Sequence, residues 1–307
     1  MKKSKLIVPA ALAVMLLSTA ASVTGTVAWF TVNRAVDTYT GNFSVESVDG
    51  NLSLTAAAVT GTTESNGVVS IASGAKMTDA SYDASTGNLY RHPYTAAETN
   101  ALATGHTFVE KTESEANWKR TVTVNTTSTV YYYAVSWTYT FTYVYGSDTN
   151  TLNLYLSTDS GKSYFTKESA NRNATGDHTE QTWKGFRIAF INSAASTGST
   201  VVWAQQQIGD NVKHIHATNT AETGVAQDSG VKVLASDTAP ANTVLETAES
   251  GGTSVNNYIG QFTSSVTSIT VKCVAWFEGT DPNVINEAEM DTVSAHMRFF
   301  VRPHSAS

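Results

Sequence analysis

The stretch Val130–Tyr145 leaves this chain the least freedom in how it folds. Tyr131, Tyr133, Val135, Trp137, Tyr139, Phe141, Tyr143 and Tyr145 alternate with Ala134, Ser136, Thr138, Thr140 and Thr142. A helical period would scatter these rings around an axis, whereas the period of two in a strand sorts them onto one face. The aromatic face is expected to pack on an opposite sheet, with Tyr hydroxyls finding partners at its edges, and the Thr face to be wet or closely approached. Such a row can also stack on sugars, but the strict alternation favours a core.

The same period recurs downstream. Phe186, Ile188 and Phe190 share one face of 186–191, and Val293, Ala295, Met297, Phe299 and Val301 alternate with Ser294, His296, Arg298, Phe300 and Arg302. Further strand candidates are 29–36, 43–48, 52–59, 68–71, 153–156, 201–205, 231–234 and 269–278, and Asp49-Gly50 is a hairpin signal. About ten short strands with Gly-, Ser- and Asn-rich connections and no fixed repeat predict an all-β chain, a jelly roll or two-sheet sandwich. Residues 41–307 are read as one such domain. The stretch 74–117 is the least strand-like and is read as an insertion. Its Tyr90-Arg91-His92-Pro93-Tyr94 run precedes Thr95, and Glu98 three residues on completes a capping box for a short helix. The polar run 218–253 reads as a surface excursion.

Charged residues are only 15% of the 307 and hydrophobic ones 41%, so a sizeable core is available and the charge-rich signature of disorder is absent. The formal net charge of −7 repels phosphate backbones, which argues against nucleic acid as a partner. Cys273 is the single cysteine, so no disulfide can form within the chain; between Lys272 and Val274 in a strand it reads as a small buried hydrophobe.

The N-terminus has the three-part layout of an export signal: Lys2, Lys3 and Lys5, an uncharged run from Leu6 to Leu17, then small residues to Gly25. Small residues around Ala20 and around Ala28 offer two cleavage points. Cleavage after Ala28 is preferred, giving a 1–28 signal peptide and Trp29 as the new terminus. Left uncut, 6–30 is long enough to span a bilayer. The exposed terminus Trp29, Phe30, Thr31, Val32 is short, uncharged and strand-prone, as is Val36 beyond it. Such a segment is either the first strand of its own sheet or a strand donated to another subunit.

Chemistry-bearing motifs are sparse. The sequence has no His-Glu-x-x-His, no Gly-x-Ser-x-Gly elbow and no phosphate or dinucleotide loop, so no enzyme and no cofactor is expected. His214 and His216 would share a strand face and could begin a metal site only with a third ligand. Asp281 and Asp291, with Glu287 and Glu289 between them, supply hard oxygens without calcium-loop spacing, and a solvated acidic loop is the plainer reading. Asn-x-Ser/Thr sequons at Asn42, Asn51, Asn125 and Asn173 are glycosylation acceptors only in a host that uses them.

The basic and Ala-rich leader, Thr26-Val27-Ala28-Trp29-Phe30-Thr31, Phe43-Ser44-Val45 and Asn51-Leu52-Ser53-Leu54 resemble secreted proteins of the TasA/camelysin type, which have archaeal pilin relatives. Looser similarity extends to Phe186–Phe190 and Val274–Asn283. This resemblance implies a jelly-roll subunit of an extracellular fibre, a pilus or biofilm-matrix filament. The mature N-terminal strand, residues 29–40, would insert into the next subunit. The partners it implies are further copies of the chain, head to tail, a signal peptidase during export, and an accessory filament subunit. The rival readings are a monomeric cell-surface glycan-binding or adhesion module using aromatics of 74–117, and a membrane-tethered coat protein retaining 6–30.

Overall fold

Strand follows strand through almost all of the chain that can be described. The computed structural model describes residues 32–34, 43–44, 50–65, 68–72, 75–91, 97, 109–111, 114–124, 126–145, 150–168, 185–194, 198–204, 231–235, 242–279 and 292–305. Of the helix expected from Thr95 only Ala97, which is helical, is among them, and of the 218–253 excursion 231–235 and 242–253 are.

The largest sheet is centred on β12 (Ala134–Tyr145), which runs antiparallel between β3 (Gly50–Thr60) and β19 (Ser268–Glu278). The sheet continues from β19 through β15 (Phe186–Ile191) and β16 (Thr200–Ala204) to β17 (Val231–Ala235), and β2 (Phe43–Ser44) closes the other side. Phe43 lies opposite Leu52 and Ser44 opposite Asn51, so these strands are not joined by a two-residue Asp49-Gly50 turn, and Gly50 is itself the first residue of β3, opposite Tyr145. At the far end of β19 the strands β7 (Asp79–Tyr82), β8 (Leu89–Arg91) and β9 (Val109–Lys111) are added in turn.

A second sheet has the order β14 (Tyr164–Glu168), β20 (Thr292–Met297), β1 (Val32–Arg34), β5 (Val68–Ile71), β4 (Thr62–Ser65). A third places β13 (Leu152–Leu156) between β18 (Tyr258–Phe262) and β21 (Phe299–Pro303). The fourth is the hairpin β10 (Lys119–Val124)–β11 (Thr127–Tyr132) with β6 (Ala75–Met77).

One core joins the largest sheet to the second and third, giving two facing layers in the manner of a β-sandwich. Trp137, Tyr139, Phe141 and Tyr143 of β12 meet Val69 and Ala295 from the second sheet and Leu154 and Phe262 from the third. Phe299 stands edge-on to Phe141 at 4.8 Å and to Tyr139 at 6.1 Å, contacts that each add about 1 kcal/mol beyond area burial. Val293, Ala295, Met297, Phe299 and Val301 all enter this core as their alternation predicts, although the strand is interrupted at Arg298 and its two parts belong to different sheets. Cys273 is fully buried beside them, and burial pushes its thiol pKa well up.

The aromatic row is shorter than its sequence pattern. The strand breaks at Tyr133, whose N–H donates to the Trp118 carbonyl at 3.0 Å. This break turns Tyr133 into a second cluster with Tyr82, Trp118 and Trp276 on the outer face of the large sheet. Tyr131 sits in the small hairpin sheet with Arg120 over its ring at 5.2 Å. The main-core row therefore starts at Val135. The 74–117 stretch supplies β6–β9 and much of that second cluster, including Ala80, Tyr82 and Leu89.

Candidate functional site

The position of β1 is the feature that bears most directly on function. It lies inside the second sheet, parallel to β20 with Val32 opposite Ala295, Asn33 opposite His296 and Arg34 opposite Met297, and antiparallel to β5 with Val32 opposite Val69. Main-chain bonds on both edges thus hold a three-residue strand. The slot has an apolar floor. Val69, Val293, Ala295 and Met297 are buried in the main core, and Phe165, opposite Ala295 on β14, packs with them. On the outer side of β20, His296 stacks on Tyr164 with ring centroids 4.8 Å apart.

Two local features build the slot's far wall. Thr62–Ser65 and Val68–Ile71 form an antiparallel hairpin, and Gly61 routes the chain into it from β3 in the opposite layer. Gly61 has φ +65°, and a Cβ there would lie 2.8 Å from the Tyr132 ring and 2.9 Å from Val135 Cγ1. Only glycine meets both conditions. Thr62 Oγ1 then donates to the Ser136 carbonyl at 2.8 Å, tying the start of β4 to β12.

Of the residues singled out in the sequence, Val32 is placed in this slot by its backbone. Ala28, Trp29, Phe30, Thr31 and Val36 lie outside the described residues, as do His214, His216, Asp281 and Asp291. Among the described residues no group of three or more His, Cys, Asp or Glu is gathered closely enough to hold a metal ion, and no helix is long and apolar enough to cross a membrane.

Two polar clusters escaped sequence reasoning. In the first, the Glu115 carboxylate accepts from Ser136 Oγ and pairs with Lys272, whose ammonium lies 5.4 Å from the Trp118 ring centre. Ser136 is fully buried, so its hydroxyl serves to latch the 114–118 turn onto the large sheet. In the second, Asn257 clamps the 242–257 segment to the third sheet. Its Oδ1 accepts from Val244 N–H at 3.0 Å, and its Nδ2 donates to the carbonyls of Leu156 at 3.0 Å and Val244 at 2.8 Å. Lys232 closes the same segment by donating to the Thr253 carbonyl at 2.6 Å, and burial lowers its pKa to about 8. Single polar residues in polar stretches carry no periodic signal, which is why neither cluster is visible in the sequence.

Comparison of the chain with family models, with curated proteins and with solved structures returned no match.

Proposed function

We propose that this protein is an exported structural subunit of an extracellular filament, assembled head to tail by exchange of its N-terminal strand. The observation that carries the reading is the location of β1: a short segment at the start of the chain fills an interior slot of a sheet whose other members come from distant sequence. An identical strand from a second copy would meet the same ladder groups and the same apolar floor, so exchange conserves the bonding while changing its owner. Because donor strand and slot are different surfaces, the contact is heterologous and propagates. In this reading the sandwich is a jelly roll, residues 29–40 are the linking strand, Trp29, Phe30, Val32 and Val36 supply its apolar contacts, and the leader ends at Ala28.

Negative-stain electron microscopy of residues 29–307 beside residues 41–307 tests this. Filaments from the longer chain and dispersed particles from the shorter are expected. Dispersed particles from both refute the filament role, and filaments from both move the joint away from the N-terminal strand.

A further inference from the structure

We propose that the slot holding β1 is longer than β1 and seats Phe30 in the core, between Ile71 and Val293. β20 runs from Thr292 to Met297, six residues, yet the three residues of β1 pair only with Ala295, His296 and Met297. β5 meets β1 at Val69 alone, and Ser70 and Ile71 run on past it. Among the described residues the facing edges of Thr292–Ser294 and Ser70–Ile71 carry no strand. The two walls therefore extend together beyond Val32, on the side from which the chain enters the slot.

The occupant is the segment directly ahead of β1, on the copy that supplies β1. Counting back in the same registers sets Thr31 between Ser70 and Ser294, Phe30 between Ile71 and Val293, and Trp29 opposite Thr292. Successive positions along a strand face opposite sides of the sheet. Ile71 and Val293 are buried in the main core with Val69 and Ala295, the neighbours of Val32, whereas Ser70 is half-buried. Phe30 and Val32 thus take the core-facing positions, and Thr31 falls in the row of Ser70. A slip of one residue would bring Thr31 to the core position and turn Phe30 and Val32 outward, so burial of this floor specifies the register. Trp29 then lies on the outer side at the end of the wall, and the smaller ring is the anchor.

Two observations select this occupant. It is continuous with a strand already in the slot, so it reaches both walls without a linker. The length also matches: the six residues from Met297 back to Thr292 correspond to Arg34 back to Trp29, the terminus expected from cleavage after Ala28. The unpaired edges of Thr292–Ser294 and Ser70–Ile71 supply the main-chain groups that such a strand needs. The inference rests on the filament reading only for who owns the strand, because the register is the same for a strand inserted into its own chain.

The test places cysteine pairs in the full chain as its host processes it. Phe30→Cys with Val293→Cys is expected to close under mild oxidation, whereas Thr31→Cys with Val293→Cys, one residue out of register, stays open; Cys273 is fully buried and takes no part. Bonds closed between chains uphold the seat and the filament reading together. Bonds closed within each chain uphold the seat and refute the filament reading. Closure of the Thr31 pair, or of neither pair, overturns the seat. A second series avoids thiols: Phe30→Ala is expected to raise the concentration needed for filaments at least about a hundredfold, and Trp29→Ala by less than about threefold. A greater loss from Trp29→Ala than from Phe30→Ala also overturns it.

Discussion

Gly61→Ala provides the sharpest check on how the two layers are connected. Gly61 carries the chain from β3 in the large sheet to β4 and β5, the wall of the β1 slot. Two costs arise there and can be separated. A left-handed backbone costs a non-glycine residue about 1–2 kcal/mol, offset by about 0.4–1 kcal/mol because alanine also restrains the unfolded chain. In addition, the new methyl would sit under 3.0 Å from the Tyr132 ring and from Val135, and overpacking of this kind costs about 1–3 kcal/mol. The sum is a destabilisation of about 1–5 kcal/mol, centred near 3. Gly161 is the control: its φ is +74° but a Cβ there meets nothing within 4 Å, so Gly161→Ala carries the backbone cost alone, about 1 kcal/mol. Urea unfolding at constant m measures both. If the two variants lose equal stability, Tyr132 and Val135 do not crowd the turn and the account of the crossover is wrong.

Three further outcomes follow from the same contacts. Asn257→Ala orphans one buried N–H and two carbonyls, and is expected to cost about 3 kcal/mol in equilibrium unfolding; a loss under about 0.5 kcal/mol refutes the clamp. Lys232 has a folded pKa of about 8 against an ordinary 10.5, so between these values the unfolded chain binds more protons and stability rises with pH. The penalty is complete below about 8. Tyr155, raised to about 12 by burial, makes the opposite contribution once pH passes 10. Comparison of Tm at pH 7.5 and 9.5 should show a rise that Lys232→Met removes. Cys273 is fully buried, so a thiol reagent should modify it only at the rate of unfolding; fast modification of the native protein contradicts its placement.

The sequence made the centre of the molecule legible and its edges not. Trp137, Tyr139, Phe141 and Tyr143 announced their face because a central strand buried on one side must alternate, and Val293–Val301 did the same. The pattern overran at Tyr131 and Tyr133 because alternation cannot register a break made by a distant carbonyl, that of Trp118. Strand β10 was hidden by its Lys-Arg-Thr composition and β14 by its Thr-Lys-Glu end. Strand β18 carries Gly260, where an added Cβ would meet Asn192 Nδ2 at 2.5 Å, and glycine reads as a break rather than as a close approach. For the candidate site, the strand character of Val32, of 68–71 and of the run from Val293 was visible, but the pairing of β1 with β5 and β20 was not. Pairing over such separations depends on the assembled layers rather than on any local signal.

Ownership of the β1 slot is decided most directly by cysteines at Asn33 and His296, which face one another across the β1–β20 ladder. After incubation under assembly conditions and mild oxidation, strand exchange predicts a ladder of covalently linked oligomers on a denaturing gel, abolished by reductant. Oxidised chains that run only as monomers, with the Asn33→Cys/His296→Cys bond closed inside each chain, would contradict it.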